Sequence, residues 1–270
     1  MTGTDNPAPL LDIRALEKRF GGLLATDRID LQLHAGEVHA LIGPNGAGKT
    51  TLIAQIGGQL ASDRGRIVFD GDDITRLSPH QRARRGLVRS FQVTRLFGSA
   101  SVLDNVALAV QAVSGHSFAA WRPVRREQAL FARAAAVLED VGLAAKADAN
   151  IGALSHGERR ALEVGLALAS QPRLVLLDEP MAGLGPDESA RMERLIGKVR
   201  QRSSVLLVEH DVEAVFRLAD RVSVLVGGRL IASGAPAAIR SDPNVIAAYL
   251  GDDEALLDDG VRAAVDAGHR

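Results

Sequence analysis

Residues Gly43 to Thr50 read GPNGAGKT and satisfy the spacing G-x-x-x-x-G-K-[ST]. Glycines at these positions let successive backbone N–H groups point inward, and phosphate oxygens can approach because no side chain intervenes. Lys49 would neutralise the β- and γ-phosphates of a nucleotide, and Thr50 would offer its hydroxyl to Mg²⁺. The alternative is an ordinary glycine-rich turn, but the apolar strand before the loop and the helix after it favour a phosphate loop. The residues expected to contact the nucleotide are Gly43, Pro44, Asn45, Gly46, Ala47, Gly48, Lys49, Thr50 and Thr51.

Two carboxylates, Asp178 and Glu179, end the apolar run RLVLLDEP. In a parallel sheet that end of a strand opens onto the ligand crevice. We therefore expect Asp178 to bind Mg²⁺ as the acidic partner of the phosphate loop. Glu179 would polarise a water molecule for in-line attack on the γ-phosphate. Such a pair at a strand end is common in isolation, so this assignment depends on the phosphate loop, whose magnesium ion needs an acidic partner.

A histidine follows the next apolar strand in SSVLLVEHD. A neutral imidazole at this position can hydrogen-bond the γ-phosphate and hold the attacking water. A lone histidine at a strand end is more often structural or solvated, and the phosphate loop again favours the functional interpretation. The predicted catalytic residues are Lys49, Glu179 and His210.

The elements that must position these residues follow from the pattern of apolar residues. Leu10 to Leu33 alternates apolar and polar residues around GGLLAT, which predicts an antiparallel strand pair. The phosphate loop lies between the strand EVHALI and the helix KTTLIAQIGGQL, and SPHQRARRG predicts a short helix capped by Ser78. Residues of about 95–165 have helical periodicity and predict a helical insertion. The later strands alternate with helices, which predicts a mostly parallel sheet covered on both faces.

Composition limits the classes of protein that need to be considered. The chain has 270 residues, 46% hydrophobic and 24% charged, with a formal net charge of −1 and no cysteine. That balance argues against a nucleic-acid partner, and the lack of cysteine excludes a disulfide framework. No apolar run approaches the about 18 residues of a membrane span, and the N-terminus lacks the pattern of a secretory signal. We expect a cytoplasmic protein whose membrane role, if it has one, comes through a partner.

The stretch LSHGERRALEVGLALA lies some twenty residues before the acidic pair. With the motifs above, it resembles the ATP-binding subunit of ABC transporters, and the similarity runs from about Leu11 to Asp252. LSHGE occupies the place of the family signature, usually Leu-Ser-Gly-Gly-Gln, with His156 and Glu158 as departures. Ser155 and Glu158 form an S-x-x-E capping box, which predicts a helix N-terminus with exposed N–H groups.

The resemblance implies further site residues and a fold. Ser155 and Gly157 would contact the γ-phosphate of an ATP held by a second copy of the domain. Gln92, in RSFQVTRLF, would touch Mg²⁺ and ATP and relay nucleotide state, and Phe20 would stack on adenine. Gly185 stands where many members carry a side chain in the D-loop. The fold implied is a P-loop NTPase core of α/β class with an antiparallel β subdomain and a helical insertion.

The implied domain organisation is a flexible segment 1–9, an ATP-binding domain 10–252 with its helical subdomain at about 95–165, and an extension 253–270. RFGGLLA, FQVTRLF, VEHD and the ending GAPAAIRSDPNVIAAYLG are similar to the branched-chain amino-acid importer group. The resemblance therefore implies an ATPase that uses ATP and Mg²⁺ at the cytoplasmic face of the cell membrane. Its partners would be a second ATPase subunit, identical or a paralogue, two permease subunits and, indirectly, a solute-binding protein.

Several alternatives stay open at the level of sequence. Urea or short amides are also cargoes of this importer group. A soluble ABC ATPase that remodels nucleic acid or ribosomes would predict basic patches, tandem ATPase domains or a long coiled coil, and the sequence has none of these. A regulatory module that binds nucleotide without hydrolysis is disfavoured because Glu179 and His210 are both retained.

Overall fold

The computed structural model of the chain describes residues 8–90, 96–113 and 128–250. The strands are β1 (Leu11–Phe20), β2 (Leu23–Leu33), β3 (Val38–Ile42), β4 (Arg64–Phe69), β5 (Asp72–Asp73), β6 (Leu87–Ser90), β7 (Leu174–Asp178), β8 (Ser204–Val208), β9 (Arg221–Val226) and β10 (Arg229–Gly234). The helices are α1 (Lys49–Gly57), α2 (Pro79–Arg84), α3 (Val102–Val113), α4 (Gln128–Asp140), α5 (His156–Leu168), α6 (Pro186–Val199), α7 (Val212–Leu218), α8 (Pro236–Arg240) and α9 (Pro243–Leu250). Within these ranges, no helix combines the length and apolar character that crossing a bilayer requires.

A six-stranded sheet carries the predicted site. Its order is β10-β9-β3-β8-β7-β6, and all its pairings are parallel except β9 with β10. The prediction of a mostly parallel sheet is confirmed. Strands β3, β8 and β7 are neighbours, so their carboxyl ends meet at one edge. That edge receives the phosphate loop, His210 and the acidic pair, which are far apart in sequence.

A second sheet packs over the first one, with α1 between them. Its order is β2-β1-β4-β5 and every pairing is antiparallel, which confirms the predicted strand pair. Leu52, Ile53 and Ile56 of α1 are fully buried in one hydrophobic cluster with residues from both sheets. Because burial of each such side chain contributes about 1.5–3 kcal/mol, α1 is fixed where its first turn meets the phosphate loop.

The C-terminal end of α1 is held by a buried arginine. Arg82 of α2 donates from Nη1 to the carbonyl oxygens of Gln55 and Ile56 at 2.7 and 2.6 Å. Burial lowers the pKa of Arg82 to about 10. Its cation therefore lies at the negative end of the α1 dipole and donates to carbonyl oxygens of the last helical turn. The predicted capping of α2 by Ser78 is confirmed, and Gln81 completes a capping box.

The helical elements α3, α4 and the first part of α5 occupy the described residues between 96 and 165. They share a hydrophobic cluster with the other face of the parallel sheet and with α6 and α7. Both faces of the sheet are therefore covered, as the strand pattern predicted.

His39 makes the stability of the sheet sensitive to pH. It is 1% exposed, and its Nε2 lies 2.8 Å from the Ser223 hydroxyl. Burial, together with the charge of Arg221, lowers the pKa of His39 from 6.5 to about 3. Below pH 6.5 the histidine is protonated in the unfolded chain but stays neutral in the folded chain. The free energy of unfolding therefore decreases as the pH is lowered, by up to about 1.4 kcal/mol per pH unit, down to about pH 3.

We expect the His39→Gln variant to lack this contribution. Urea unfolding at pH 7.5 and 5.5 should show a smaller loss of stability in the variant than in the wild type, by about 1 kcal/mol. His80→Gln, which changes an exposed histidine, is the control and should keep the wild-type difference. Equal losses in the wild type and His39→Gln would contradict the assignment.

Candidate functional site

The phosphate loop adopts backbone geometry that only glycine permits at two positions. Gly43 and Gly48 have φ angles of 151° and 105°. A Cβ atom would lie 2.0 Å from the Leu225 carbonyl oxygen at Gly43, and 2.3 Å from that of Ala25 at Gly48. Gly48 is also the N-cap of α1 and supplies no side-chain acceptor. The first N–H groups of α1 are therefore available to an anion at the positive end of the helix dipole.

Lys49 is buried beside this loop, with 5% of its surface exposed. Its ammonium donates to the carbonyl oxygens of Gly43 at 2.5 Å and Pro44 at 3.0 Å. Burial lowers the pKa of Lys49, and the negative charges of Glu179 and Asp178 partly offset that effect. The ammonium forms no salt bridge in the described part of the chain, so its remaining donor and its charge fit a phosphate group.

A cavity of about 340 Å³ opens above the loop, within the size range of small-molecule sites. It brings together the loop, the carboxylate of Glu179, His210 and Phe20, all of which the sequence singled out. Phe20 is 49% exposed at its rim, and the Lys18 ammonium lies 5.6 Å from the ring centroid. The lining residues are Phe20, Leu23, Leu24, Ala25, Asn45, Gly46, Ala47, Gly48, Lys49, Thr50, Thr51, Glu179, His210, Gly227 and Gly228.

Glu179 and His210 are in direct contact, which the sequence did not predict. The distance from His210 Nε2 to Glu179 Oε1 is 2.6 Å. Because the carboxylate accepts, Nε2 carries the hydrogen in this contact. Glu179 has a left-handed backbone with φ of 50°, and its N–H donates to the Val208 carbonyl at 2.8 Å. This conformation costs a non-glycine residue about 1–2 kcal/mol and re-aims the chain at the end of β7.

Asp178 is paired with a buried arginine that sequence reasoning missed. Arg89 Nη2 donates to Asp178 Oδ2 at 2.6 Å, and the two side chains are 4% and 9% exposed. Arg89 lies on β6, which pairs with β7 in parallel register. The only signal in the sequence was a charged residue inside the short strand LVRS. The pair uses Oδ2 of Asp178, and none of the described residues donates to Oδ1. A carboxylate oxygen of this kind suits Mg²⁺.

Ser155 and Gly157 lie away from this cavity, at the start of α5. The capping box of Ser155 and Glu158 is confirmed, and Glu158 also pairs with Lys146 at 2.8 Å. Glu188 of α6 covers part of this helix N-terminus, a contact that the sequence did not predict. Its Oε1 accepts from the Ser155 hydroxyl at 3.1 Å and from the Gly157 N–H at 3.3 Å. A carboxylate satisfies these two donors, and the residues around them carry no local sign of this contact.

Three further predictions concern Gln92, the C-terminal extension and Gly185. Gln92 and the extension 253–270 lie outside the residues that the structure describes. Gly185 is the N-cap of α6 with a φ of −74°, a backbone angle open to other residues.

Comparison with known proteins agrees with this geometry. The sequence profile of the ABC transporter family matches residues 26–182, and the profile named branched-chain amino acid ATP-binding cassette transporter matches residues 229–255. The chain is 39% identical over 251 residues to the high-affinity branched-chain amino acid transport ATP-binding protein BraF of Pseudomonas aeruginosa, covering 90% of this chain and 98% of that protein. It is 38% identical to the protein LivG of Escherichia coli K12, which bears the same description, with the same coverage.

Solved structures give the same result. The crystal structure of an ATP-binding cassette of an ABC transporter in its ADP conformation superimposes with a TM-score of 0.80 at 29% identity. The match covers 91% of this chain and 100% of the cassette. The chain belongs to the ABC transporter family and has the fold of that family's ATP-hydrolysing cassettes. Within the family it falls in the branched-chain amino-acid group, so both levels of the predicted resemblance are confirmed.

The Arg89–Asp178 pair gives a prediction about stability. Arg89→Met leaves a buried carboxylate without its partner, and we expect the free energy of unfolding in urea to fall by about 3–5 kcal/mol. Asp178→Asn added to Arg89→Met should recover part of this loss, because no charge is then left unpaired. Arg85→Met removes an exposed pair with Asp72 and serves as the control, with an expected cost below about 1 kcal/mol. Equal costs for the two arginine variants would contradict the prediction.

Proposed function

We propose that this protein is the ATP-hydrolysing subunit of an importer that takes up branched-chain amino acids through partner permeases. The observation that carries the proposal is the meeting of Glu179 and His210, 2.6 Å apart, at the cavity above the phosphate loop. A module that only binds nucleotide has no need of a base and a hydrogen donor at the γ-phosphate end of its cavity. The composition argues against a nucleic-acid partner, since the net charge is −1.

Each group of residues at the cavity has a separate role in the proposed hydrolysis. The N–H groups of the loop and of the first turn of α1 bind the phosphates, and Lys49 neutralises charge that develops on the outer ones. Glu179 accepts the proton of the attacking water as the water oxygen bonds to the γ-phosphorus and the bond to the β-phosphate oxygen breaks. His210 Nε2–H donates to Glu179 here and is placed to donate to the γ-phosphate once ATP is bound.

The same region has oxygen donors that suit a magnesium ion. Thr50 supplies a hydroxyl at the start of α1, and Asp178 supplies a carboxylate at the end of β7. Gln92 completes the proposed set from outside the described residues. Mg²⁺ bound there would neutralise phosphate charge in the transition state.

The site within one chain is incomplete, which favours a pair of ATPase subunits. Ser155 and Gly157 present donors at the start of α5, but they line a different cavity, of about 390 Å³, from the one that holds Lys49 and His210. In a pair of subunits arranged head to tail, the donors of one chain would close over the ATP held by the other. The ATPase pair would sit on two permease subunits at the cytoplasmic face of the membrane and drive their alternating access.

The cargo is inferred from similarity alone. The match at residues 229–255 and the relatives BraF and LivG support branched-chain amino acids. Urea and short amides are the alternative cargoes. The solute would be held by the solute-binding protein and the permeases, and not by this ATPase subunit.

Glu179→Gln tests the hydrolytic assignment. The amide cannot accept the proton from water, so we expect phosphate release by the purified protein to fall by about 100-fold or more while ATP binding is kept. Glu163→Gln, a change in a surface pair with Arg160, is the control and should retain activity. Normal phosphate release by Glu179→Gln would overturn the assignment.

The same variant, placed in the source organism lacking the wild-type gene, tests the cargo. Uptake of labelled leucine should be absent with Glu179→Gln and restored by the wild type. Loss of urea uptake with intact leucine uptake would replace the proposed cargo while leaving the ATPase assignment intact.

Glu188 gives a second prediction. Its carboxylate accepts hydrogen bonds from Ser155 and Gly157, the donors that would bind the γ-phosphate of the ATP held by the partner subunit. Glu188→Gln removes the charge, and we expect less ATP to be required for dimer formation in the Glu179→Gln background, by about 3- to 10-fold. Asp187→Asn removes an equal charge from the same exposed turn and is the matched control. Size-exclusion chromatography with increasing ATP measures the midpoint. Equal midpoints for the two variants would show that Glu188 does not compete.

A further inference from the structure

Glu209 is a buried carboxylate that the mechanism above does not use. It is 3% exposed, and it forms no salt bridge with a described lysine or arginine. Burial raises the pKa of Glu209, while hydrogen bonds from the backbone of Met181 and His210 act in the opposite direction. A buried carboxylate without a cation costs free energy, and two backbone donors are what satisfy it here.

These two donors belong to the two loops that carry the catalytic residues. Glu209 Oε1 accepts from the Met181 N–H at 2.7 Å, and Met181 lies two residues after Glu179. Glu209 Oε2 accepts from the N–H of His210 at 3.1 Å. One carboxylate therefore links the loop after β7, which carries Glu179, to the loop after β8, which carries His210.

The backbone conformation of Glu179 explains why these two hydrogen bonds to Glu209 matter. With φ at 50°, Glu179 is held in the left-handed region by its own N–H bond to Val208 and by the turn that follows it. The Met181 N–H is part of that turn, and Glu209 is its hydrogen-bond acceptor. Strained conformations persist only when the surroundings over-determine them, so loss of this acceptor releases the turn that aims the Glu179 side chain.

We propose that Glu209 is a positioning residue that keeps Glu179 and His210 in register for attack on the γ-phosphate. This inference rests on the proposed ATPase function. It assigns Glu209 no contact with the nucleotide, because Glu209 is not among the residues lining the cavity above the phosphate loop.

The test compares Glu209→Ala and Glu209→Gln with the wild type, measuring kcat, KM and the affinity for ATP. We expect Glu209→Ala to lower kcat by about 10- to 100-fold with ATP affinity unchanged, because a displacement of about 1 Å at a catalytic group has that effect. Glu209→Gln keeps one oxygen acceptor and should recover part of kcat. The matched control is Glu213→Gln on α7, which changes an exposed ion pair with Arg240 of α8.

A double-variant comparison separates positioning from general destabilisation. If Glu209 acts through Glu179, adding Glu209→Ala to Glu179→Gln should lower the single-turnover rate no further. The proposal would be overturned if kcat were unchanged in both Glu209 variants. It would also be overturned if Glu209→Ala lowered the single-turnover rate equally in the wild type and in the Glu179→Gln variant. If Glu209→Ala does not fold, Glu209→Gln decides by the same comparison. If the Glu179→Gln variant keeps full activity, the proposed function fails instead, so the two failures are distinguishable.

Discussion

Parallel pairing of β3, β8 and β7 is the constraint on which the site depends. The pairing places the carboxyl ends of three strands at one edge, and each end carries a different functional group. Burial of α1 between the two sheets then fixes the helix whose first turn faces that edge. Without these two features, Lys49 would have no fixed position relative to Glu179 and His210, which lie more than 100 residues further along the chain.

The charges at this edge are arranged so that most of them are satisfied before any ligand binds. Asp178 is paired with Arg89, Glu179 with His210, and Lys49 with carbonyl oxygens. Preorganised groups of this kind need little reorganisation during the reaction, which is the main source of electrostatic catalysis. Lys49 differs from the other charged groups because its acceptors are neutral carbonyl oxygens. A phosphate anion is a stronger hydrogen-bond acceptor than a carbonyl, so Lys49 gains the most when a phosphate binds.

The hydrogen-bond donors at the start of α5 are also satisfied before any ligand binds. Ser155 and Gly157 are satisfied by Glu188, which comes from the helix after the proposed D-loop. A helix N-terminus has unsatisfied N–H groups and a positive dipole, so an acidic side chain in reach will bind there. In the proposed pair of subunits, a phosphate would take the place of this carboxylate, which links closure of the pair to a rearrangement at the start of α6.

The sequence by itself determined the strand pair, the order of strands and helices, the phosphate loop and the capping of α2 and α5. These features depend on local patterns, namely apolar periodicity, spacing of glycines and short-range capping, which act within a few residues. Only the tertiary structure decided that Arg89 pairs with Asp178, that Glu188 covers the donors of Gly157 and that Glu209 joins two catalytic loops. The partners in these contacts are 89, 31 and 28 residues apart, and the short strand or turn around each one carries no sign of the other. Buried polar groups take whichever partner the packing brings within about 3 Å, and packing is a property of the whole chain.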